Sequence, residues 1–204
     1  MFRLTLSATS LIIFAYSFIL SLVKLWMVPD IPIAPITSFL LLKTGAAMNF
    51  ADFVCFEAII PDVEATDRDG VIAELVLALD KAKKLGKGNG QKIIKAVIKR
   101  ENEASTGMGK GVAVPHVKHD AVKEVVAAIG QSSKGIDFNS LDKQPVYSVV
   151  LLISPKDAPD KHLEAMEKVF KHLQQEKFRK FLRQSRSAEQ IKDLLIEADE
   201  KPFL

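Results

Sequence analysis

The chain has 204 residues, of which 48% are hydrophobic and 26% charged, and it carries a formal net charge of +3. That length allows one domain with a sizeable core and a shorter appendage. The charge is too small to indicate a protein that binds nucleic acid or an anionic membrane, since such proteins carry a large excess of basic residues. A single cysteine excludes an internal disulfide and a thiolate metal cluster within one chain, and it indicates a reducing compartment.

Residues 1–47 differ in kind from the rest of the chain. Residues 10–28 are almost wholly apolar and long enough to indicate a membrane segment. Three interpretations stay open: sequence upstream of the true start, an uncleaved anchor, or a secretory signal in which Arg3 forms the positive region. We favour the first, because regular patterning begins at Met48 and three prolines break the stretch before it. We therefore divide the chain into an apolar extension or linker, residues 1–47, and a domain, residues 48–204.

The domain alternates helical and strand patterns. Residues 50–60 read as a short helix followed by a strand-like segment at 58–60, and a helix with Thr66 as its N-cap runs toward residue 86. The next helix buries apolar residues at helical spacing and presents Arg100 at its end.

Three strands are predicted further on, at 112–114, 125–130 and 146–153. The last of them is apolar enough to be covered on both faces. Helices follow it, the first with Asp160 as its N-cap and the last opened by a capping box at Ser187 and Gln190. Helices that alternate with buried strands predict an α/β fold, a three-layer α/β/α sandwich with a mixed sheet.

The clearest chemical signal is the string at residues 105–116, STGMGKGVAVPH. A glycine-punctuated approach leads into a short buried strand, and Pro115 cannot donate a ladder hydrogen bond. We therefore expect the strand to stop at Pro115 and His116 to project from the loop that follows. A neutral imidazole can act as a nucleophile near pH 7. A lone histidine after a strand is nevertheless more often a hydrogen-bonded structural residue, so its position alone does not assign it.

The whole string resembles the active-site segment of enzyme IIA domains of the phosphoenolpyruvate-dependent sugar phosphotransferase system, type 2, the fructose, mannitol and nitrogen-regulatory class. The resemblance rests on Arg100-Glu101, on Ser105-Thr106-Gly107 and on GVAVPH at 111–116, and it extends from about residue 48 to about residue 198. It implies that His116 carries the phosphoryl group. The family usually has glycine after this histidine, whereas this chain has Val117, which puts the rate of transfer in question more than the site.

Three further residues come under the same resemblance. Arg100 matches the arginine of the family's R-E pair, and a guanidinium there would hold phosphate oxygens by charge-assisted hydrogen bonds. The alternative is an arginine that only complements the helix dipole. The side chains of Ser105 and Thr106 are expected to bind the phosphoryl group as well.

His162 lies near the start of the helix that follows the strand at 146–153. If that strand runs parallel to the one before His116, both histidines reach the same edge of the sheet, where open α/β folds bind ligands. His162 also matches the second histidine of the family, so we expect it to support His116. The alternative is a solvent-facing histidine in a capping turn.

The sequence gives less reason to assign a function to the other two histidines, His119 and His172. His119 follows His116 by three residues, but no third ligand falls at a suitable spacing, so we expect no metal site. His172 follows His162 by ten residues on one helix, about 80° short of three full turns, so the two need not share a face. We expect His172 to be exposed to solvent.

The resemblance implies a shuttle of phosphate between histidines that requires no cofactor. The histidine-containing phosphocarrier protein would phosphorylate His116, which would pass the group to a permease B domain. The alternative is a regulatory protein whose docking is switched by phosphorylation, without sugar transport. Either role predicts a cytoplasmic protein, with membrane contact only if residues 10–28 form a real anchor, and neither involves nucleic acid.

Overall fold

The computed structural model describes residues 48–201, and the predictions made for residues 1–47 lie outside that range. Six α-helices occur in the described part, with one short 3-10 helix at Phe56–Ala58. They are α1 (Phe50–Phe53), α2 (Arg68–Lys81), α3 (Gly90–Glu103), α4 (Pro159–Leu173), α5 (Glu176–Gln184) and α6 (Ala188–Glu200). None of the helices in residues 48–201 combines the length and the apolar character needed to cross a bilayer.

Five strands form one mixed sheet: β1 (Gly107–Gly109), β2 (Val112–Ala113), β3 (His116–Lys118), β4 (Val126–Ile136) and β5 (Val146–Ser154). Strand β5 is central. Strands β2 and β3 both pair with it in parallel, one after the other along the same side, and β4 pairs with it antiparallel on the other side. Strand β1 forms an antiparallel hairpin with β2.

Helices cover both faces of the sheet. Along β5, Val149, Leu151 and Ile153 pack into the core under α2 and α3. Val150 and Leu152 face the other way, into the core formed with α1, α4, α5 and α6. This alternation arises because successive strand residues point to opposite faces, and it explains the unbroken apolar sequence of β5. The predicted three-layer α/β/α architecture with a mixed sheet is therefore confirmed.

Helix starts and one strand differ from the sequence predictions. Asp67, not Thr66, caps α2, because its carboxylate accepts a hydrogen bond from the N–H of Gly70. The N-cap position of α4 is Ala158 rather than Asp160, with a proline at N1. The strand expected at 58–60 is wrong in part. Ala58 closes the 3-10 helix, and Ile60 makes only an isolated bridge to Gly130 on β4.

Candidate functional site

The candidate site lies at the carboxyl end of β5, where β3 joins the sheet. His116 pairs with Leu152, so it is the first residue of β3 and does not project from a loop as the sequence predicted. Pro115 interrupts the edge strand without ending it, because its carbonyl accepts a hydrogen bond from the N–H of Leu152. His116 is therefore fixed by the pairing of β3 with β5, which gives its half-buried ring a more defined position than a loop would.

The tautomer of His116 follows from one hydrogen bond. Its Nδ1 lies 2.9 Å from the carbonyl oxygen of Val114. A carbonyl can only accept, so Nδ1 carries the proton and donates it. In the neutral ring the lone pair then resides on Nε2, which is the nitrogen able to act as a nucleophile.

The electrostatic surroundings keep this ring neutral. Burial lowers the pKa of His116 from its ordinary value of 6.5, and the positive charges of Arg100 and Lys118 lower it further. The hydrogen bond to Val114 and the charge of Glu101 act in the opposite direction and do not overcome the shift. At neutral pH His116 therefore holds an unprotonated, nucleophilic nitrogen.

His162 lies beside His116, as the parallel arrangement of the strands predicted. The two ring centroids are 5.6 Å apart and the planes are inclined by 45°. His162 is only 7% exposed, so the alternative of a solvent-facing histidine is wrong. Its Nδ1 makes a 2.6 Å hydrogen bond with the hydroxyl of Ser154, the last residue of β5.

Burial also lowers the pKa of His162, to about 4, with further contributions from the charges of His116 and Lys118. Two imidazoles at this separation cannot both become protonated without strong repulsion. The site thus contains two neutral rings flanked by permanent positive charges.

Arg100 lies in the last turn of α3, close enough to His116 for its charge to affect the pKa of that ring. Its Nη1 donates to the carbonyl of Ala104 at 3.1 Å, which leaves the other guanidinium N–H groups for a ligand. The arginine predicted from the sequence is therefore brought together with His116.

Glu101, the residue after Arg100, is 2% exposed and organises the loop that leads to β1. Its two carboxylate oxygens accept hydrogen bonds from the N–H and the hydroxyl of Thr106, the latter at 2.7 Å. Thr106 in turn accepts a hydrogen bond at its carbonyl from the N–H of Val114. A buried carboxylate with both oxygens bonded in this way fixes Arg100 relative to the strand that carries His116.

Ser105 belongs to the same loop, and its hydroxyl is also engaged locally. It accepts a hydrogen bond from the N–H of Gly107 at 3.3 Å and lies 3.5 Å from the carbonyl of Phe138. The predicted binding of phosphate by Ser105 and Thr106 therefore requires both hydroxyls to rotate away from their present partners, and it stays a prediction.

Three contributions to the site were missed in the sequence. Lys118 is two residues from His116 on β3, so both side chains point to the same face, and a period of two would have indicated this once β3 was recognised. Ser154 ends β5 and orients His162. The third is the buried Glu101, which was noted only as part of a pair.

The other two histidines lie outside this group. The Nδ1 of His119 accepts a hydrogen bond from the N–H of Ala121 in the turn after β3. The prediction that His172 is exposed is wrong, because its side chain is 4% exposed. Its ring contacts Phe50 and Phe178, and its Nε2 lies 3.3 Å from Asp199. The rotation of 80° carries His172 to the part of α4 that faces α1 and α6, and not to solvent.

Comparison with known proteins decides the family. The family described as "Phosphoenolpyruvate-dependent sugar phosphotransferase system, EIIA 2" matches residues 53–198. This chain belongs to the EIIA 2 family. It is thus a component of the phosphotransferase system with a role in phosphoryl transfer, as the sequence resemblance implied.

Relatives of this EIIA 2 chain carry two kinds of name. It is 34% identical over 152 residues to the PTS system fructose-specific EIIABC component of Bacillus subtilis, a match that covers 74% of this chain and 24% of that protein. The chain therefore matches about a quarter of that relative's length. It is 32% identical over 148 residues to a nitrogen regulatory protein of Bradyrhizobium diazoefficiens, covering 72% of this chain and 95% of the relative.

Solved structures agree with the EIIA 2 assignment. The nitrogen regulatory protein IIA-Ntr of Neisseria meningitidis superposes with a TM-score of 0.65 at 27% identity, covering 71% of this chain and 97% of that one. The IIA mannitol structure from Escherichia coli gives a TM-score of 0.58 at 20% identity over 68% of this chain and 96% of that one, which supports the fold.

Proposed function

We propose that Nε2 of His116 accepts a phosphoryl group from a protein phosphohistidine and later passes it on. The observation that carries this proposal is the hydrogen bond from Nδ1 of His116 to the Val114 carbonyl. It leaves the lone pair on Nε2, in a ring whose pKa is lowered by burial, at the edge of the sheet. The nucleophile therefore needs no general base.

The transfer is balanced without a proton or a cofactor. Nε2 of His116 attacks phosphorus in line, an N–P bond forms at Nε2, and the N–P bond of the donor breaks, returning its electron pair to the donor ring. Both the attacking and the leaving atoms are imidazole nitrogens, so neither has to be activated by a metal ion.

The neighbouring groups would stabilise the charge on the transferred phosphoryl oxygens. Arg100 supplies guanidinium N–H donors and Lys118 a nearby positive charge. We propose that Ser154 donates to Nδ1 of His162, so that Nε2–H of His162 donates to a phosphoryl oxygen. Ser105 and Thr106 would add hydroxyl donors after rotation, at the cost of their present bonds within the loop.

We propose that the donor is the histidine-containing phosphocarrier protein and that the site faces the cytoplasm, where such a donor acts. A protein partner needs an apolar contact beside the reacting ring. Leu163, the neighbour of His162 in the first turn of α4, is 65% exposed and can supply that contact. For the acceptor we propose a permease B domain. The proposal is supported by a solved structure of similar fold, the complex of enzyme IIAMTL and phosphorylated enzyme IIBMTL from Escherichia coli.

The assignment is tested by incubating the full chain with the phosphorelay and labelled phosphoenolpyruvate. Wild type should acquire acid-labile label, and His116→Ala should acquire none. The matched control is His119→Ala, which removes a histidine three residues away that makes only a local turn contact, and it should be labelled normally. Normal labelling of His116→Ala would refute the assignment.

A regulatory role is the second candidate, because the nitrogen regulatory relatives match at nearly the same identity as the fructose component. In that role His116 would be phosphorylated in the same way, but the group would change the binding of a target protein and would not reach a sugar. The discriminating measurement follows the label after transfer. Rapid passage to an added permease B domain supports transport, whereas label that remains on His116 until hydrolysis supports regulation.

A further inference from the structure

A second charged region lies at the opposite end of the sheet from His116. A groove of about 520 Å³ is lined there by Lys110, Glu176, Arg179, Lys180, Arg183 and Arg186. We call it the basic groove. It is formed by α5 and the loop after it, by the turn between β1 and β2, and by Ser132 and Ser133 of β4. Five of its side chains are cationic and one is anionic.

This concentration of charge stands out against a nearly neutral domain. The first 47 residues contain three basic residues and one acidic residue, which leaves 25 basic and 24 acidic residues in 48–204. A random distribution would therefore mix the two signs on every surface. The basic groove instead carries a net formal charge of +4 on a small concave area, which favours the binding of an anion.

The cationic side chains of the basic groove take no part in the ion pairs found among residues 48–201. Asp62, a carboxylate outside the groove, lies close enough to Arg186 for that charge to affect its pKa. Its pKa is lowered first by hydrogen bonds from Ser133, with smaller contributions from Lys134 and Arg186. Asp62 is therefore already bonded to Ser133 through both oxygens and competes weakly for the cations.

Two of the guanidinium groups are held in position by the fold. Arg183 stacks on the ring of Tyr147, with its central carbon 3.6 Å from the ring centroid. Arg179 donates through Nη1 to the carbonyls of Leu173 and Gln174, both at 2.7 Å, at the end of α4. Neither contact uses all five N–H donors of the side chain, so ordered donors remain for a ligand at little further cost in conformational entropy.

We propose that the basic groove binds a small metabolite that carries two or more phosphate groups. Its volume lies in the range of small-molecule sites. Three guanidinium groups in one groove match the geometry of phosphate oxygens, and bidentate pairs are the strongest of the charge-assisted hydrogen bonds. A flat membrane or the convex surface of a protein would reach the rim of a groove more readily than its floor, so the concave shape favours a small ligand.

The basic groove is distinct from the phosphoryl-transfer site. Tyr147 lies near the start of β5, whereas Leu152 pairs with His116 near its end. Five residues of extended strand separate the two by about 17 Å. A ligand in the groove can therefore be present while His116 exchanges its phosphoryl group.

The test is calorimetric titration of the full chain with inorganic pyrophosphate at low salt. The test variant is Arg183→Gln/Arg186→Gln. The control, Lys92→Gln/Lys95→Gln, removes the same charge from two exposed positions on α3. Wild type should bind pyrophosphate with a stoichiometry of one to one. The test variant should bind it at least about tenfold more weakly, because the charge-assisted hydrogen bonds of both arginines are lost. The control should bind like wild type. Labelling of His116 by the phosphorelay should be unchanged in both variants, which shows that each is folded.

The His116→Ala variant separates the two sites, since pyrophosphate should bind to it as tightly as to wild type. Loss of binding in that variant would place the pyrophosphate at the transfer site and overturn the proposal. Equal weakening in the test and control variants would mean a general effect of charge and would overturn it too. A third arm uses vesicles that contain phosphatidylserine. Binding to the vesicles without binding to pyrophosphate would assign the surface to a membrane and not to a metabolite.

Discussion

The first and last turns of α4 each contain a buried histidine, and the two differ in almost every other respect. His162 is surrounded by positive charge and a second imidazole, and its pKa is lowered to about 4. His172 lies between the rings of Phe50 and Phe178, donates from Nδ1 to the carbonyl of Lys168 and contacts the carboxylate of Asp199.

The difference shows that a histidine on one helix can belong to the candidate site or stabilise the packing of helices. Which of the two it does depends on the side chains that the rest of the fold places around it. Asp199, the partner of His172, also accepts hydrogen bonds from the N–H groups of Phe50 and Ala51 at the start of α1. His172 therefore helps to join three helices. His162 instead contacts the end of β5 through its hydrogen bond to Ser154, which keeps the ring oriented beside His116.

Removal of the structural ring should give the largest effect of all. In His172→Ala the aromatic cluster loses a buried ring and Asp199 loses a partner, so the free energy of unfolding should fall by about 3 to 4 kcal/mol. Denaturant unfolding measures this change, with exposed Lys171→Ala as the control. The folded fraction of His172→Ala should still label at the wild-type rate. A labelling defect with unchanged stability would reverse the roles assigned to the two ends of α4.

The next largest effect is expected from acid, which should lower the free energy of unfolding because His162 is buried in its neutral form. Its pKa is about 4 in the folded protein and near 6.5 when unfolded, so its contribution to stability is complete above pH 6.5 and is lost as the pH falls toward 4. The loss amounts to something on the order of 3 kcal/mol. Unfolding free energies measured across this window should fall more steeply for wild type than for His162→Gln. Parallel curves for the two proteins would contradict the lowered pKa.

Arg100 tests whether the charge around the histidine pair acts on the transferred group. Arg100→Gln should slow the labelling of His116 by roughly a hundredfold, about 2.7 kcal/mol in the barrier, because a donor to the phosphoryl oxygens is lost. Arg100→Lys should recover part of the rate, since it restores charge without the paired geometry. Lys99→Gln, the neighbouring exposed position, serves as the control. A normal rate in Arg100→Gln would leave the arginine with only its contact to Ala104.

Lys118 should give the smallest and most specific effect. Its charge lowers the pKa of both His116 and His162, so Lys118→Gln should raise both values. Labelling of wild-type His116 should decline on acidification with a midpoint below the ordinary pKa of 6.5, and in Lys118→Gln that midpoint should move to higher pH. The rate at pH 8, where both rings are neutral in either protein, should fall by no more than about fivefold, because Lys118 is exposed and its charge acts only weakly on the phosphoryl oxygens. Identical pH profiles would show that Lys118 has no influence on the pair.

Many of the helices, strands and candidate site residues could be predicted from local sequence patterns. The apolar run of β5 predicted a strand covered on both faces, and the string at 105–116 singled out His116, although in a loop and not in a strand. Its proximity to Arg100 was expected from the family resemblance, and its proximity to His162 from that resemblance and from the expected parallel strands. Local patterns failed at the boundaries of helices and strands, where neighbouring residues are equally suited to the same position. Thr66 and Asp67 are both good caps for α2, and only the hydrogen bond to Gly70 decides between them. Pro115 predicted the end of a strand, yet parallel pairing resumes one residue later, because β5 extends past it.

The sequence by itself determined the alternation of helices and strands, because periodicity is a property of adjacent residues. Its motifs indicated the family by resemblance and singled out His116 as the proposed phosphoryl acceptor. The tertiary structure alone decided that His116 lies in a strand, that its Nε2 holds the lone pair, that Lys118 and Ser154 act on the pair, and that His172 is buried against Asp199. It also collected the cations of the basic groove from segments as distant as Lys110 and Arg186. These features depend on burial and on charges brought together across the fold, which no local pattern encodes.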